Sequence, residues 1–441
     1  MGPSLSAVQV IGGPLPLVLE ILAALAALAL IVRPLPRGSR MRWLVTVAAV
    51  LVLGAAVGLL TCWVVGDLLN AFDVTLSWIT RAWVATAFAG LGLAIASLVR
   101  TRARRRMGAI AAAAVFALLG AVGVNADFGQ YPTLASMVGV SSFPDLPALI
   151  ADTQHAAAGS GTSTAVDATW TPPVDLPTKG LVGGVTIPAT VSHFAARQAL
   201  VYLPPAALTA HPPALPILVM LSGQPGSPEN VFVAGHLDTV LDSLAAQHQG
   251  LAPIVVVPDQ LSAPSTNPMC VDSPIGNSAT YLTVDVPAWI RAHLDVQPAS
   301  AAWGIGGFSQ GGTCAIQLGA AHPELFGSII DVSGELEPKS GTPNETIAAG
   351  FGGDAAAYVA ATPLSVIADH APYADTVAIF AAGALDTKYT PWVATVAKAA
   401  KAAGMHTTLL SSPGTAHDWR TVIYAFEHGL PALYQRWGLA P

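Results

Sequence analysis

A serine hydroxyl is a poor nucleophile until a general base takes its proton, and the base in turn needs an acid to orient it. Residues 307–311 read Gly-Phe-Ser-Gln-Gly, which puts Ser309 in the G-x-S-x-G pattern of a serine on a tight turn from strand to helix. The glycines are a steric requirement, because side chains two residues either side of the serine would collide with the facing strand or helix. In a chain with 41 glycines the spacing alone is weak, and the flanks strengthen it. The apolar run 301–305 precedes the serine, and helix formers fill 313–321 up to His322-Pro323. Of 11 histidines, His417 is the expected base: it follows a strand-like run and sits in the small-residue loop 411–419. That loop lies at the carboxyl end of the last expected strand, where open α/β sheets collect their chemistry. His322 ends the helix behind the serine and reads as a packing or capping residue, and His211 lies in a proline-rich turn. The expected acid is Asp386, directly after the apolar run 377–385, with Glu335 and Glu337 as rivals after the preceding strand. Asp418 adjoins His417 too closely to orient it easily.

A tetrahedral intermediate formed at Ser309 needs two backbone N–H donors. Gln310, at the start of the following helix, supplies one. The loop 222–227, Ser-Gly-Gln-Pro-Gly-Ser, is expected to supply the other. Gln224 is the choice there, since residues 225 and 228 are prolines and donate nothing. The chain has no H-E-x-x-H, paired C-x-x-C, Walker loop or dinucleotide fingerprint, so neither metal nor cofactor is expected.

The elements that must position these residues begin near Gly180. Short apolar runs alternate there with helical stretches, the signature of a parallel α/β sheet. Expected strands are 182–187, 198–203, 217–221, 253–258, 302–306, 327–332, 376–381 and 407–410. Expected helices are 231–246, 279–294, 310–322, 391–403 and 418–437. The middle strands, Ile-Leu-Val-Met-Leu at 217–221 and Ile-Val-Val-Val at 254–257, are apolar throughout, as strands covered on both faces must be. Residues 181–441 thus form a catalytic domain with a core of its own.

Ahead of it the composition changes. Of 441 residues only 10% are charged, against about a quarter in ordinary soluble domains. Residues 14–32, 43–65, 82–99 and 107–124 are apolar runs, and Glu20 is the one charge in any of them. Each is near the roughly 20 residues that cross a bilayer as helix, and none shows the polar face of a soluble helix. Residues 1–132 therefore read as four transmembrane helices, and 133–180, rich in small residues and proline, as an exit segment and linker. Arg33, Arg37, Arg40 and Arg42 lie between the first two runs, and Arg100, Arg102, Arg104, Arg105 and Arg106 between the last two. By the positive-inside rule both loops face the cytoplasm, which puts the N-terminus and the catalytic domain outside. Glu20, near one end of its run, reads as interfacial rather than as part of a transport path.

Ten of the 19 basic and three of the 26 acidic residues fall by residue 106, so the remainder carries a net charge of about −14. Such a domain is repelled by nucleic acid and by anionic headgroups. An outside location permits disulfides. Cys62 lies within a membrane run, which leaves Cys270 and Cys314 as the available pair; two buried free thiols are the alternative.

The catalytic domain resembles the esterase D branch of the α/β-hydrolases, which includes the secreted mycolyltransferases of the mycobacterial cell wall. The resemblance runs from about Gly180 to Gly438. It rests on Val256-Val257-Pro258-Asp259, on residues 306–312 around Ser309, on Asp386 at a strand end, and on His417-Asp418-Trp419 leading into a long last helix. Residues 267–273, Asn-Pro-Met-Cys-Val-Asp-Ser, with Tyr281 and Trp289, are similar too. A multi-helix membrane anchor ahead of such a domain is similar to actinobacterial esterases. The resemblance implies an α/β-hydrolase fold and a serine acyl hydrolase or acyltransferase facing the cell envelope. Two features depart from the mycolyltransferases: they carry a glutamate where Asp386 stands, and a different loop from Leu221-Ser222-Gly223-Gln224.

Three functions compete at this level. The first is a membrane-anchored esterase acting on carboxylic esters or acyl lipids. The second is acyl transfer to an envelope sugar or lipid, which differs only in whether water or an alcohol attacks the acyl-enzyme. The third is a non-catalytic envelope-binding module, which would have no need of Ser309, Asp386 and His417 together.

Overall fold

A computed structural model describes residues 8–33, 36–69, 74, 76–99, 101–138, 143–146, 165–264 and 266–441. The chain forms two compact units, Met1–Val140 and Ser141–Pro441.

The first unit is helical: α1 (Pro14–Ile31), α2 (Arg37–Cys62, continuing as a wider turn over Trp63–Leu68), α3 (Trp78–Leu98) and α4 (Ala103–Phe128). Among the described residues these are the four helices long and apolar enough to cross a membrane. Small residues set their packing. A Cβ on Gly54 of α2 would lie 2.5 Å from the Phe88 carbonyl oxygen of α3, and one on Gly123 of α4 would lie 2.2 Å from the Trp83 ring. Such close approach brings the helix backbones into van der Waals contact. The charged groups sit at the bundle's ends. Arg81 holds Asp67 through two bonds of 2.7 and 2.9 Å, and the buried Asp127 accepts from Thr80 Oγ1 at 2.7 Å. Toward the other end the Arg33 guanidinium lies over the Trp43 ring.

Part of the expected exit segment packs within this unit: Thr133 bridges to Gln9, and Leu134–Met137 is a one-turn helix with a capping box. Part belongs to the other. The Leu146 N–H donates to Gly184 O and the Gly184 N–H to Pro144 O along the first strand of the sheet, and Val166 is buried in the second core. Single apolar side chains anchor these pieces, too few to register as periodicity. The rest of that segment, 139–142 and 147–164, lies outside the described residues.

The second unit is built on a sheet of eight strands among the described residues: β1 (Leu181–Val185), β2 (Ala199–Leu203), β3 (Ile217–Leu221), β4 (Ile254–Val257), β5 (Trp303–Phe308), β6 (Ser328–Val332), β7 (Val377–Gly383) and β8 (His406–Ser412). Their order is β1-β2-β4-β3-β5-β6-β7-β8. The pairs β1–β2 and β2–β4 are antiparallel and all the others parallel. Leu237–Gln247 (α5), Val286–His293 (α6), Gln310–Ala321 (α7), Tyr389–Ala402 (α8) and Trp419–Gly429 (α9) flank it. This is the α/β-hydrolase fold. Strands β3 and β4 are fully buried, which explains their unbroken apolar sequence. Two expected helices are broken. Residues 231–246 divide at His236, which takes a left-handed conformation (φ 49°), and 418–437 divides before Pro431.

One group in this core works against its stability. Asp331 on β6 is 1% exposed. Its Oδ1 accepts the Gly334 N–H at 2.9 Å, while Oδ2 has no partner among the described residues. Burial pushes its carboxyl up to about 7, against the lowering effect of that one N–H. An acid with a raised folded-state pKa keeps its proton in the fold where the unfolded chain has lost it. Stability therefore declines as pH rises from about 4 to about 7, and the full cost is present above 7. Asp331→Asn keeps the acceptor for Gly334 without the titration. The purified full-length variant should unfold at a higher temperature than its parent at pH 8, by the equivalent of a few kcal/mol at most, and the two midpoints should converge near pH 4.

Candidate active site

Ser309 stands where β5 turns into α7, with φ 56° and ψ −119°. This unfavourable conformation for a non-glycine residue is held by the Ser309 N–H donating to Val332 O at 2.8 Å. The turn leaves no room for side chains beside it. A Cβ on Gly307 would lie 2.2 Å from the carbonyl group of Gly311, and one on Gly311 would lie 2.4 Å from Ser222 O. Ser309 itself is only half-buried, whereas Gln310, Gly311 and Gly312 are buried. The hydroxyl is thus reachable while its support is not.

Three strand ends bring the expected residues together. His417 Nε2 lies 2.9 Å from Ser309 Oγ, and His417 Nδ1 lies 3.3 Å from Asp386 Oδ2. Asp386 follows β7 in the turn before α8, where its Oδ1 accepts the N–H groups of Lys388 and Tyr389 at 3.1 and 2.9 Å. Those bonds commit one oxygen and leave Oδ2 aimed at the imidazole. Burial pushes the Asp386 carboxyl up, but the hydrogen bond and charge of His417, with the two N–H donors, outweigh it and hold it below the usual carboxylate range. An ionised Asp386 accepts from Nδ1–H, which leaves the Nε2 lone pair for the serine proton. The Tyr389 and Phe308 rings lie against the imidazole, with centroids 3.9 and 4.9 Å from its own, and limit its rotation.

The other candidates have different partners. Asp418 caps α9, accepting from the N–H groups of Arg420 and Thr421. His322 pairs with Glu324 at the end of α7. The Glu335 N–H donates to Thr313 Oγ1, and Glu337 bonds the Tyr358 hydroxyl. Gln310 begins α7, as a donor to an oxyanion beside Ser309 must. The loop holding Gln224 runs next to the serine: a Cβ on Gly223 would lie 3.6 Å from Ser309 Cβ. A disulfide joins Cys270 to Cys314, with Cα atoms 5.5 Å apart, and ties the 267–273 loop to the helix behind the nucleophile.

The sequence does not show the supporting roles of several residues. Asp259, fully buried, holds Arg197 through two bonds of 2.7 and 2.9 Å, and Arg197 Nη2 donates to Gly226 O at 3.0 Å. The same holds for Gln260 and for the Tyr389 and Phe308 rings against His417. The one sequence signal is polarity directly after the apolar β4 run, Asp259-Gln260, where burial is otherwise complete.

The profile of the Esterase family, described as "Putative esterase", matches residues 195–418. An uncharacterized protein of Corynebacterium glutamicum is 32% identical over 362 residues, covering 80% of this chain and 82% of that protein. The MPT51/MPB51 antigen of Mycobacterium tuberculosis is 40% identical over 77 residues, 17% of this chain and 25% of the antigen. Similar solved structures include a ferulic acid esterase (17% identity, 60% of this chain and 100% of that one, TM-score 0.48). An S-formylglutathione hydrolase from Agrobacterium tumefaciens is also similar (21% identity, 59% and 97%, TM-score 0.48). With half of its length matched by the profile and four fifths aligned to a relative at 32% identity, the chain belongs to the Esterase family.

Proposed function

We propose that this protein is a membrane-anchored serine esterase whose catalytic unit acts outside the cytoplasm. The observation that carries the reading is the continuous line from Ser309 Oγ through His417 to Asp386 at the carboxyl ends of β5, β8 and β7. Ser309 Oγ attacks the ester carbonyl carbon as His417 Nε2 takes its proton, and Asp386 stabilises the imidazolium that results. The N–H groups of Gln310 and Gln224 receive the developing oxyanion. On collapse His417 returns the proton to the departing alkoxide, leaving the acyl group on Ser309 Oγ. Water then gives a proton to His417 and attacks the acyl carbon, and Ser309 leaves with that proton as the carboxylic acid is released. An alcohol attacking in place of water makes the same machinery a transferase.

The anchor reading is supported by the first unit's outward surface. Large apolar side chains such as Val52 and Leu53 are 71% and 65% exposed there. Each would forgo roughly 1.5–3 kcal/mol of burial in water, and a lipid surround removes that penalty. The arginine distribution supports the orientation. Hydrolysis of short-chain p-nitrophenyl esters by the detergent-purified protein tests the chemistry, and a sugar alcohol added to the assay reads out transfer as an acylated product. Val174→Cys, on a fully exposed residue of the catalytic unit, tests the orientation. A membrane-impermeant maleimide should label it in intact cells, and labelling only after permeabilisation would reverse the topology.

A further inference from the structure

The machinery proposed above needs two loops held at a fixed spacing: the turn after Ser309, carrying the Gln310 N–H, and the 222–226 loop after β3, carrying Gln224. A line of buried side-chain amides runs between them. Gln260 Nε2 donates to Ser222 O at 2.6 Å and to Gln310 Oε1 at 3.1 Å. Gln310 Nε2 donates onward to Asn267 Oδ1 at 3.0 Å, which also accepts the Met269 N–H. Asn267 Nδ2 ends the line on Lys339 O at 2.6 Å. Backbone carbonyls at both ends fix which way each amide faces, since a flipped Gln260 or Asn267 would set oxygen against oxygen. Gln260 and Ser222 are 0% exposed, and Gln310 and Asn267 are 5% and 7% exposed.

Two further observations separate this arrangement from ordinary packing. Gln260 Oε1 is buried with no partner among the described residues, so the side chain costs stability that an apolar residue of the same size would not. The neighbouring residue holds the far end of the same loop: Asp259 fixes Arg197, whose Nη2 donates to Gly226 O at 3.0 Å. Asp259-Gln260 therefore grips the 222–226 loop at both ends, and Gln260 alone also grips the side chain next to the nucleophile.

We propose that Gln260 is a positioning residue for the oxyanion site, setting the gap between the 222–226 loop and the Ser309–Gln310 turn through its single NH2 group. This rests on the esterase reading. Gln260→Met keeps length and volume and removes the donor. Its kcat on p-nitrophenyl esters should fall roughly 10–100-fold, below the loss for deleting an oxyanion donor outright, with KM within about threefold of the parent. Affinity for a trifluoromethyl ketone, whose adduct with Ser309 is tetrahedral, should weaken by the same factor as kcat/KM. Affinity for the trigonal carboxylic acid product should not change, and neither should the pH profile, because the His417–Asp386 pair is untouched.

Titration with a fluorophosphonate counts the folded sites, so partial misfolding does not imitate the effect. If Gln260→Met does not fold at all, Gln310→Met breaks the same bond from the other side and is read in the same way. Where both fold, the double variant should lose little more than either single one. Parent-like kcat in Gln260→Met, equal weakening of ketone and acid, or losses that multiply in the double variant would each overturn the assignment. Ser309→Ala in the same assay separates the two layers: if it is inactive while Gln260→Met behaves as the parent, only the positioning role falls.

Discussion

Ser309→Ala should lower ester hydrolysis by roughly four to six orders of magnitude and abolish covalent capture by a fluorophosphonate. His417→Ala should cost nearly as much, and the double variant no more than the worse of the two. Nucleophile and base act as a unit, so removing one leaves the other without a task. The geometry supports this coupling, because the 2.9 Å contact between Ser309 Oγ and His417 Nε2 is, among the described residues, the route by which this arrangement takes the serine's proton. Residual turnover in either variant would come from binding and the oxyanion donors alone. Substantial hydrolysis by Ser309→Ala would overturn the esterase reading and leave an envelope-binding module as the better account of this unit.

The parts of this site legible in the sequence are those fixed by backbone sterics. Ser309 could be found because a Cβ at Gly307 or Gly311 would fall 2.2 or 2.4 Å from neighbouring backbone, so only glycine fits either position. Asp386 and His417 could be found because each follows a strand that alternation or apolarity announces, and chain order assigns the rest. The strands were legible for the same reason: β3 and β4, buried on both faces, can hold little but aliphatic side chains.

What stayed hidden depends on partners far apart in sequence. Gln260 and Gln310 are 50 residues apart, and Asp259 and Arg197 are 62 apart. Polar residues like these read as surface until the fold buries them. The short helices Pro343–Gly350, Ala355–Ala360 and Pro363–Asp369 also went unread. Their signals were local and present: Thr342 with Glu345 forms a capping box, and Thr362 precedes a proline at the first helical position. Each helix is too short for an apolar period to stand out. The docking of Thr133 and of Val166 gave no sign for a related reason, since each pairs with residues distant in sequence.

Asp386→Asn should lower kcat by roughly 10⁴-fold, less than Ser309→Ala, because the nucleophile and the base both survive. The amide can still accept the Lys388 and Tyr389 N–H groups through its oxygen. That orientation turns the NH2 toward His417 Nδ1, where a donor faces a donor. The imidazole must then carry its proton on Nε2, the nitrogen that should accept from Ser309, and the wrong tautomer is favoured. Asp386→Ala removes the preference without imposing the opposite one, so it should fall between the parent and the asparagine variant or match the latter. Acidification probes this charge directly. Asp386 has a lowered folded-state pKa, so its contribution to stability is present above its unfolded value of 3.8 and is lost only as pH falls through the lower folded one. Asp386 therefore keeps its charge, and its hold on His417 Nδ1, on mild acidification, and the fold should remain intact over that range by circular dichroism. Glu335→Ala is the control, since its backbone N–H bond to Thr313 Oγ1 survives the change and it should retain parental activity. Full activity in Asp386→Ala together with its loss in Glu335→Ala would move the acid to the end of β6 and make the His417–Asp386 contact a structural one.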